Sequence, residues 1–249
     1  AMVHGGMAGV VSHPLDNVLW KIGLLCEGDE RSQFGLRDVC DLPEAEVMRL
    51  VAEASGWTPE PAARFGPFRV AAEHILEACE QVGERLALAC ERQESVILAT
   101  GHPTGLPLLY IEVGRELVKR GVELLTPFEG KPWQEGKRGR REIRYFHGVA
   151  MLIGYGNALH THSAHPMEMM LAEGPRPDLV FADHGFAGGA IEAGVDTVSI
   201  ADVNDPALIV AKALGRTEAV IVMDDNVQPE AYWPCFQAIA ARLPQSPAR

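Results

Sequence analysis

The stretch Leu179-Val-Phe-Ala-Asp183-His184-Gly185 indicates the fold class, because a short apolar run passes directly into polar residues and then into a helix-like segment. The same layout recurs in four other places. Apolar runs precede the polar strings Gly101-His-Pro-Thr-Gly105, His160-Thr-His-Ser163, Asp202-Val-Asn-Asp205 and Asp224-Asp-Asn226. Short apolar strands that alternate with helices are typical of βαβ units and a parallel sheet.

These repeated strand ends also predict a functional site. The carboxyl ends of parallel strands lie along one edge of a sheet, and ligands bind in the crevice outside them. Polar residues at five strand ends would therefore converge on one place, which we interpret as the active site of an enzyme.

The chain of 249 residues is long enough for one α/β domain, which we place at residues 2–249. Residues 2–94 have helical periodicity, with apolar positions at helical spacing in 42–54 and 68–90, and form an N-terminal segment. Residues 95–243 alternate between strands and helices. The pattern predicts a three-layer, Rossmann-like α/β fold with a mostly parallel sheet of about five or six strands.

Charge and cysteine content exclude several classes of protein. The formal net charge of −12 argues against nucleic-acid or membrane-surface binding but is compatible with a small anionic metabolite as ligand. The five cysteines include no C-x-x-C pair, so structural zinc and a disulfide framework are not expected. No signal peptide or membrane-length apolar run is visible, and we expect a cytoplasmic protein. The sequence does not decide whether the protein forms a homo-oligomer.

The densest chemical signal is a group of histidines. His160 and His162 are two residues apart on an extended segment, so both rings can face one ligand. Asp183 precedes His184 and could orient its imidazole for acid–base catalysis, or could simply cap the following helix. We take His160, His162, Asp183 and His184 as the candidate catalytic residues.

Oxygen-bearing side chains follow the last two strands of the core. Carboxylates and amides of this kind suit a hard cation such as Mg²⁺. Asp205 precedes Pro206 and could instead cap a helix, and strand alternation predicts that only one of two adjacent aspartates faces the site. The candidate metal ligands are Asp202, Asn204, Asp205, Asp224 and Asp225.

Anion-binding residues are expected in two places. A glycine-containing turn before a helix exposes backbone N–H groups to phosphate or carboxylate. A basic loop at about 129–144 could fold over a bound anion, although a solvated loop is the simpler interpretation. The candidate substrate-binding residues are Gly101, His102, Thr104, Gly105, Ser163, Arg138, Arg140 and Arg141.

Five strings in this chain resemble a family of bacterial, largely actinobacterial, proteins described simply as phosphatases. The strings are ATGHPTGL from Ala99, HTHSAHPM from His160, PDLVFADHGFAG from Pro177, GVDTVSIADVNDPAL from Gly194 and MDDNV from Met223. Phe186 stands where other members have Trp, Asn226 where they have His, and the basic loop is longer here. The resemblance implies a phosphatase. The positions that match the family pattern are His102, His160, His162, Asp183, His184, Asp202, Asn204, Asp205, Asp224 and Asp225.

We therefore expect hydrolysis of a small phosphorylated metabolite, with a divalent ion such as Mg²⁺ and water as the attacking group. Two alternatives remain at this level. A metal-independent lyase, cyclase or isomerase acting on a carboxylate would use the histidines as an acid–base pair. A non-catalytic protein that binds an anionic metabolite would use the same residues for affinity alone.

Overall fold

The computed structural model describes residues 1–246, apart from the side chain of Arg138, and has a nine-stranded mixed sheet and a two-stranded one. The strands are β1 (Gly9–Val10), β2 (Arg69–Val70), β3 (Ser95–Thr100), β4 (Glu123–Leu124), β5 (Trp133–Gln134), β6 (Arg140–Phe146), β7 (Val149–Gly154), β8 (Asn157–Ala158), β9 (Leu179–Asp183), β10 (Thr197–Asp202) and β11 (Ala219–Met223).

The large sheet has the order β11-β10-β9-β3-β7-β6-β5, with β4 beside β3 and β8 beside β7. Strands β11, β10, β9, β3 and β7 pair in parallel, whereas β6 is antiparallel to β7 and β5 is antiparallel to β6. Every residue of β7, β9, β10 and β11 is buried, as expected for parallel strands covered on both faces. The predicted α/β class with a mostly parallel sheet is confirmed.

The helices follow the apolar periodicity of the sequence. They are α1 (Leu15–Cys26), α2 (Glu30–Gln33), α3 (Glu44–Ser55), α4 (Ala72–Arg92), α5 (Pro107–Lys119), α6 (His165–Glu173), α7 (His184–Glu192), α8 (Ala207–Ala213) and α9 (Trp233–Ala240).

These helices form two groups. Helix α9 contacts both α4 and α5, and α7 contacts both α6 and α8. The connections from β9 through β10 to β11 move across the sheet in one direction, and the connection from β3 to β4 moves in the opposite direction. Because such crossovers are right-handed, α7 and α8 lie on the face of the sheet opposite α5.

The N-terminal segment packs onto the sheet domain through α1 and α3. In α1, Leu15, Val18, Ile22 and Leu25 form a buried stripe that belongs to the same hydrophobic cluster as the central strands. On the surface, Glu192 at the end of α7 bonds Arg37 from this segment and Arg216 from the loop before β11. These contacts join the N-terminal segment to the end of α7 and to the loop before β11.

The region around 129–144 differs from the loop that we expected. It contains the β5–β6 hairpin, in which Arg141 and Ile143 are buried and their neighbours are more exposed. Strand β6 is antiparallel to both of its neighbours, and an antiparallel strand can have one solvated face, so charged residues alternate with buried ones and hide the apolar pattern. No helix in the described part of the chain is long and apolar enough to cross a membrane.

Candidate active site

Four imidazole rings gather at the carboxyl edge of the parallel strands. The ring centroids of His102 and His160, and of every pair among His160, His162 and His184, are 5.0 Å apart. The Nε2 atom of His184 lies 3.7 Å from carboxylate oxygens of both Asp205 and Asp225. Histidines and aspartates from separate strand ends therefore form one site, as the topology of parallel strands led us to expect.

His184 occupies the sharp turn between β9 and α7. Its φ of 47° is in the left-handed region, which non-glycine residues rarely adopt and which is found disproportionately at functional sites. A Cβ at the next residue, Gly185, would overlap the carbonyl group of Ser163, so only glycine lets α7 approach the histidine segment. The turn and this close approach hold the His184 ring at the edge of the sheet.

Asp183 holds the ring of His184 and makes no capping hydrogen bond to α7. Its Oδ1 atom accepts hydrogen bonds from Nδ1 of His184 at 2.8 Å and from the backbone N–H of Gly101 at 2.7 Å. Burial disfavours charge on both residues, but the hydrogen bond between them prevails, raising the pKa of His184 and lowering that of Asp183. The carboxylate therefore fixes the tautomer of His184 and leaves Nε2 facing the site.

His160 and His162 reach the site from the extended segment between β8 and α6. The Nε2 atoms of His160 and His184 are 3.4 Å apart, and Nδ1 of His162 lies 3.2 Å from the carbonyl oxygen of Arg31. Partial loss of hydration lowers the pKa values of His160 and His162 to about 4; the neighbouring His184 adds to this effect, and Asp205 opposes it at His162. Both imidazoles are therefore neutral at neutral pH.

A second group of polar side chains lies beside the histidines. Asp202, at the end of β10, accepts a hydrogen bond from Nε2 of His13 at 3.0 Å, and this bond raises the pKa of His13. Asp224 accepts one from the backbone N–H of Ser12 at 2.6 Å. Ligand atoms of His13, Asp202 and Asp224 all lie within 4.8 Å of one another, which is close enough for one ion.

Asp225 lies between the two groups. Its side chain is within hydrogen-bond reach of Asp202, and burial followed by that carboxylate raises the pKa of Asp225 well above its ordinary value. Oδ1 of Asp202 and Oδ2 of Asp225 are buried and accept no hydrogen bond from any described residue. Asp224 lies near His13 and Asp202, and Asp225 lies near His184, so both face the site. Strand alternation does not apply to them because they follow the last residue of β11.

Asp205 and Asn204 have different surroundings. Asp205 does not cap α8; its Oδ1 atom accepts a hydrogen bond from Nζ of Lys21 at 2.9 Å, and its Oδ2 atom faces the histidines. The amide of Asn204 donates to Nδ1 of His13 at 3.1 Å and to Oδ1 of Asn17 at 2.8 Å. Asn204 thus positions His13, while Asp205 joins the histidine group.

The turn after β3 is attached to the histidine segment. The backbone N–H of Thr161 donates to the carbonyl oxygen of Gly101, and the N–H of His102 donates to Oγ1 of Thr100. His102 is 6% exposed, and its Nε2 atom lies 3.7 Å from Asp225. The N–H groups of Gly101 and His102 are therefore used within the protein, so an anion would meet Thr104, Gly105 and the start of α5.

Ser163 and the basic residues have structural partners. The hydroxyl of Ser163 accepts a hydrogen bond from the N–H of His165 at the start of α6. Arg141 is 8% exposed and its Nε atom donates to Glu135 at 2.9 Å, whereas Arg140 is exposed. The hairpin that carries them ends beside the carboxyl end of β7. The side chain of Arg138 lies outside the part of the chain that the structure describes.

A cavity of about 740 Å³ opens next to the histidines. One wall is the segment from His160 to Glu168, and the other is the N-terminal segment around α2. The lining includes His160, His162, Arg31 and Arg37. This volume is within the usual range for a small-molecule site, and its polar lining suits a charged metabolite.

The N-terminal segment contributes residues to the site that the sequence pattern did not predict. Ser12, His13, Asn17 and Lys21 all contact acidic or amide side chains of the site. Ser12 and His13 lie just before α1, Asn17 and Lys21 lie within it, and no strand of the large sheet precedes them. The rule that polar residues collect at strand ends could not find them; the string Ser12-His13-Pro14 before a helix was the available signal.

Comparison with known proteins shows the family to which the chain belongs. No solved structure matches the chain. A protein of Streptomyces coelicolor named Phosphatase SCO2771 is 35% identical over 239 residues, which cover 93% of this chain and 89% of that protein. The family model described as Phosphatase matches residues 1–247. The chain therefore belongs to this Phosphatase family.

Proposed function

We propose that this protein hydrolyses a phosphomonoester of a small metabolite with the help of a divalent cation. The observation that carries the proposal is the group of buried carboxylates after β10 and β11, in which ligand atoms of Asp202 and Asp224 lie within 4.8 Å of His13 and of each other, with Asp225 beside Asp202. Two carboxylates that are buried side by side repel each other unless they share a proton or bind a cation. Cation binding explains why the chain brings them together with Asp224 and His13 at the edge where ligands bind.

The residues present fit a hard divalent ion such as Mg²⁺. Asp202, Asp224 and Asp225 supply carboxylate oxygens, and His13 lies within reach of the same point. Oδ1 of Asp202 and Oδ2 of Asp225 have no hydrogen-bond donor among the described residues, so both are available to a cation. When bound, such an ion neutralises charge on the phosphoryl oxygens and lowers the pKa of a coordinated water.

The other residues of the site supply binding and proton transfer. The Thr104–Gly105 part of the turn and the first turn of α5 would hold the phosphate. His162 or His184 would activate the attacking water or protonate the leaving oxygen. The water oxygen bonds to phosphorus, the bond to the ester oxygen breaks with its electron pair on that oxygen, and a proton passes to the leaving alcohol.

Phosphate release from a panel of phosphomonoesters tests the proposal. The protein is first dialysed against EDTA and then assayed with and without Mg²⁺. We expect release only with Mg²⁺, and loss of that release in Asp202→Asn. Asp178→Asn is the matched control, because Asp178 bonds Ser95 at the start of β3, at the opposite edge of the sheet. The control should keep its activity.

Other results would support the alternatives. Full activity in EDTA would contradict the role of the cation. Turnover of a carboxylate substrate without phosphate release would indicate a lyase, cyclase or isomerase, and binding of a metabolite without turnover would indicate a binding protein. Each of these outcomes rejects metal-dependent phosphomonoester hydrolysis.

A further inference from the structure

The three imidazoles of His160, His162 and His184 converge outside the carboxylate group that we assign to Mg²⁺. One nitrogen from each ring lies within 4.8 Å of the other two. The rings come from two different segments, and the strained turn at His184 and the packing of Gly185 hold them together. A protein that needed only one acid–base histidine would not require this three-way approach.

The hydrogen bonds of the rings direct lone pairs toward the common point. Nδ1 of His184 faces a carboxylate oxygen of Asp183, and Nδ1 of His162 faces the carbonyl oxygen of Arg31. Each Nδ1 therefore carries a proton, and each Nε2 presents a lone pair. Histidines that bind metal ions almost always donate the other ring N–H to a carboxylate or carbonyl group in this way.

The spacing of the nitrogens fits ligands of one ion. Two imidazole nitrogens at about 2.0–2.1 Å from a tetrahedral metal ion are about 3.4 Å apart. The Nε2 atoms of His160 and His184 are 3.4 Å apart. At this distance two neutral nitrogens that face each other gain little unless a proton or a metal ion lies between them.

Two buried carboxylates complete the surroundings of this point. Oδ2 of Asp205 lies 3.7 Å from Nε2 of His184 and 4.0 Å from Nε2 of His162. Oδ2 of Asp225 also lies 3.7 Å from Nε2 of His184; this residue is 2% exposed, and no described residue donates a hydrogen bond to that oxygen. Three imidazole nitrogens with a buried, unpartnered carboxylate oxygen beside one of them form a ligand set that suits a metal ion.

We propose that His160, His162 and His184, with Asp205 or Asp225, bind a second divalent ion of the nitrogen-preferring transition-metal class, such as Zn²⁺. The proposal rests on the proposed function and deepens it, because it gives the site two ions of different chemical preference. Asp225 lies between them, in contact with Asp202 on one side and His184 on the other. Two ions on either side of a phosphoryl group can stabilise both the attacking and the leaving oxygen.

This assignment changes the role of the histidines. The three imidazoles would act on the attacking water through the ion that they hold, rather than by accepting its proton directly. Asp183 becomes a positioning residue, because it fixes the ring of His184 without contacting the ion. His160 and His162 line the 740 Å³ cavity, so substrate would enter on this side.

Titration of the EDTA-treated, full-length protein with Co²⁺ tests the second site. Nitrogen ligands and low coordination number give Co²⁺ a strong visible absorption, which a carboxylate site does not produce. We expect about two equivalents of Co²⁺ per chain in the native protein and about one, without the visible band, in His160→Ala and in His162→Ala. Asp224→Asn should lose the other equivalent and keep the band.

The control variant is His165→Ala, since His165 lies in the same segment, is exposed and pairs with Glu168 rather than with the cluster. Circular dichroism checks that each variant is folded; His160 is exposed, so its substitution spares the core. Unchanged Co²⁺ stoichiometry and spectrum in both cluster variants would overturn the proposal.

The same samples separate this proposal from the proposed function. Loss of the band in the cluster variants, with no phosphomonoester hydrolysed by the native protein, would leave the metal site standing and reject the function. Mg²⁺-dependent hydrolysis by a protein whose cluster variants bind Co²⁺ as the native chain does would reject the second site alone.

Discussion

Substitution of Asp183 by alanine and by asparagine distinguishes its structural contribution from its effect on chemistry. Oδ1 of Asp183 accepts two buried hydrogen bonds, from the N–H of Gly101 at 2.7 Å and from His184 at 2.8 Å. Alanine leaves both donors unsatisfied, at about 1–3 kcal/mol each, so the free energy of unfolding should fall by about 2–6 kcal/mol. Asparagine keeps an oxygen in place and replaces two charged bonds by neutral ones, which costs at most about 2 kcal/mol.

Both variants remove the negative charge behind His184. Loss of a carboxylate that orients a ligand or catalytic histidine typically lowers metal affinity or activity by about 10- to 100-fold. We therefore expect phosphate release to fall by about this factor in Asp183→Asn, although its fold is nearly as stable as that of the native protein. Co²⁺ affinity should fall in parallel, which a purely structural role would not produce.

Thermal unfolding followed by circular dichroism measures the first effect, and phosphate release measures the second. For a chain of this length, 1 kcal/mol shifts Tm by about 2–4 °C, so alanine should lower Tm by on the order of 10 °C and asparagine by much less. Equal loss of stability in the two variants, with activity retained by Asp183→Asn, would refute the positioning role and leave Asp183 as a structural acceptor.

Three further predictions concern packing, pH and substrate binding. Gly188→Ala should lower the free energy of unfolding by about 1–3 kcal/mol or more, because its Cβ would overlap the backbone of Phe34. Gly23→Ala, whose Cβ would make only an ordinary contact with Glu44, should raise the free energy of unfolding by up to about 1 kcal/mol in urea denaturation. Glu192→Gln should cost about 1–2 kcal/mol at neutral pH. Burial raises the pKa of Glu192, but bonds to two arginines outweigh this effect and lower the pKa from 4.5 to about 2. The difference in stability between the variant and the native protein should therefore persist above pH 4.5 and vanish as pH falls toward 2. A difference in stability that does not change with pH would contradict this pairing. Arg140→Gln should raise KM more than it lowers kcat if the hairpin contacts substrate, and an unchanged KM would make Arg140 a solvated residue.

Much of the fold follows from local patterns in the sequence. Buried strands such as β9 and β11 are continuous apolar runs, and α1 and α4 have apolar residues at helical spacing. Strand β6 was missed because Arg141 occupies a buried position through its bond to Glu135. A charged residue with a dedicated partner breaks the apolar alternation on which strand prediction depends.

The candidate site could also be predicted from the sequence only in part. Polar residues after β3, β9, β10 and β11 could be predicted to meet, because parallel pairing alone brings their ends to one edge. Local sequence did not decide the roles of Asp205 and Asp183, because an aspartate directly before a helix gives the same sequence pattern whether it caps that helix or belongs to the site. Their partners Lys21 and Gly101 are distant in the chain, and only folding brings them into contact.

The sequence by itself therefore determined the strand–helix order and the edge at which the histidines and aspartates collect, because both depend on periodicity and chain direction. Tertiary structure alone decided that α1 would bring His13 to Asp202, that Asp224 and Asp225 would both face inward, and that three imidazole nitrogens would meet at one point. Those contacts arise from packing between segments far apart in the chain, and packing geometry leaves no local signature in the residues that it joins.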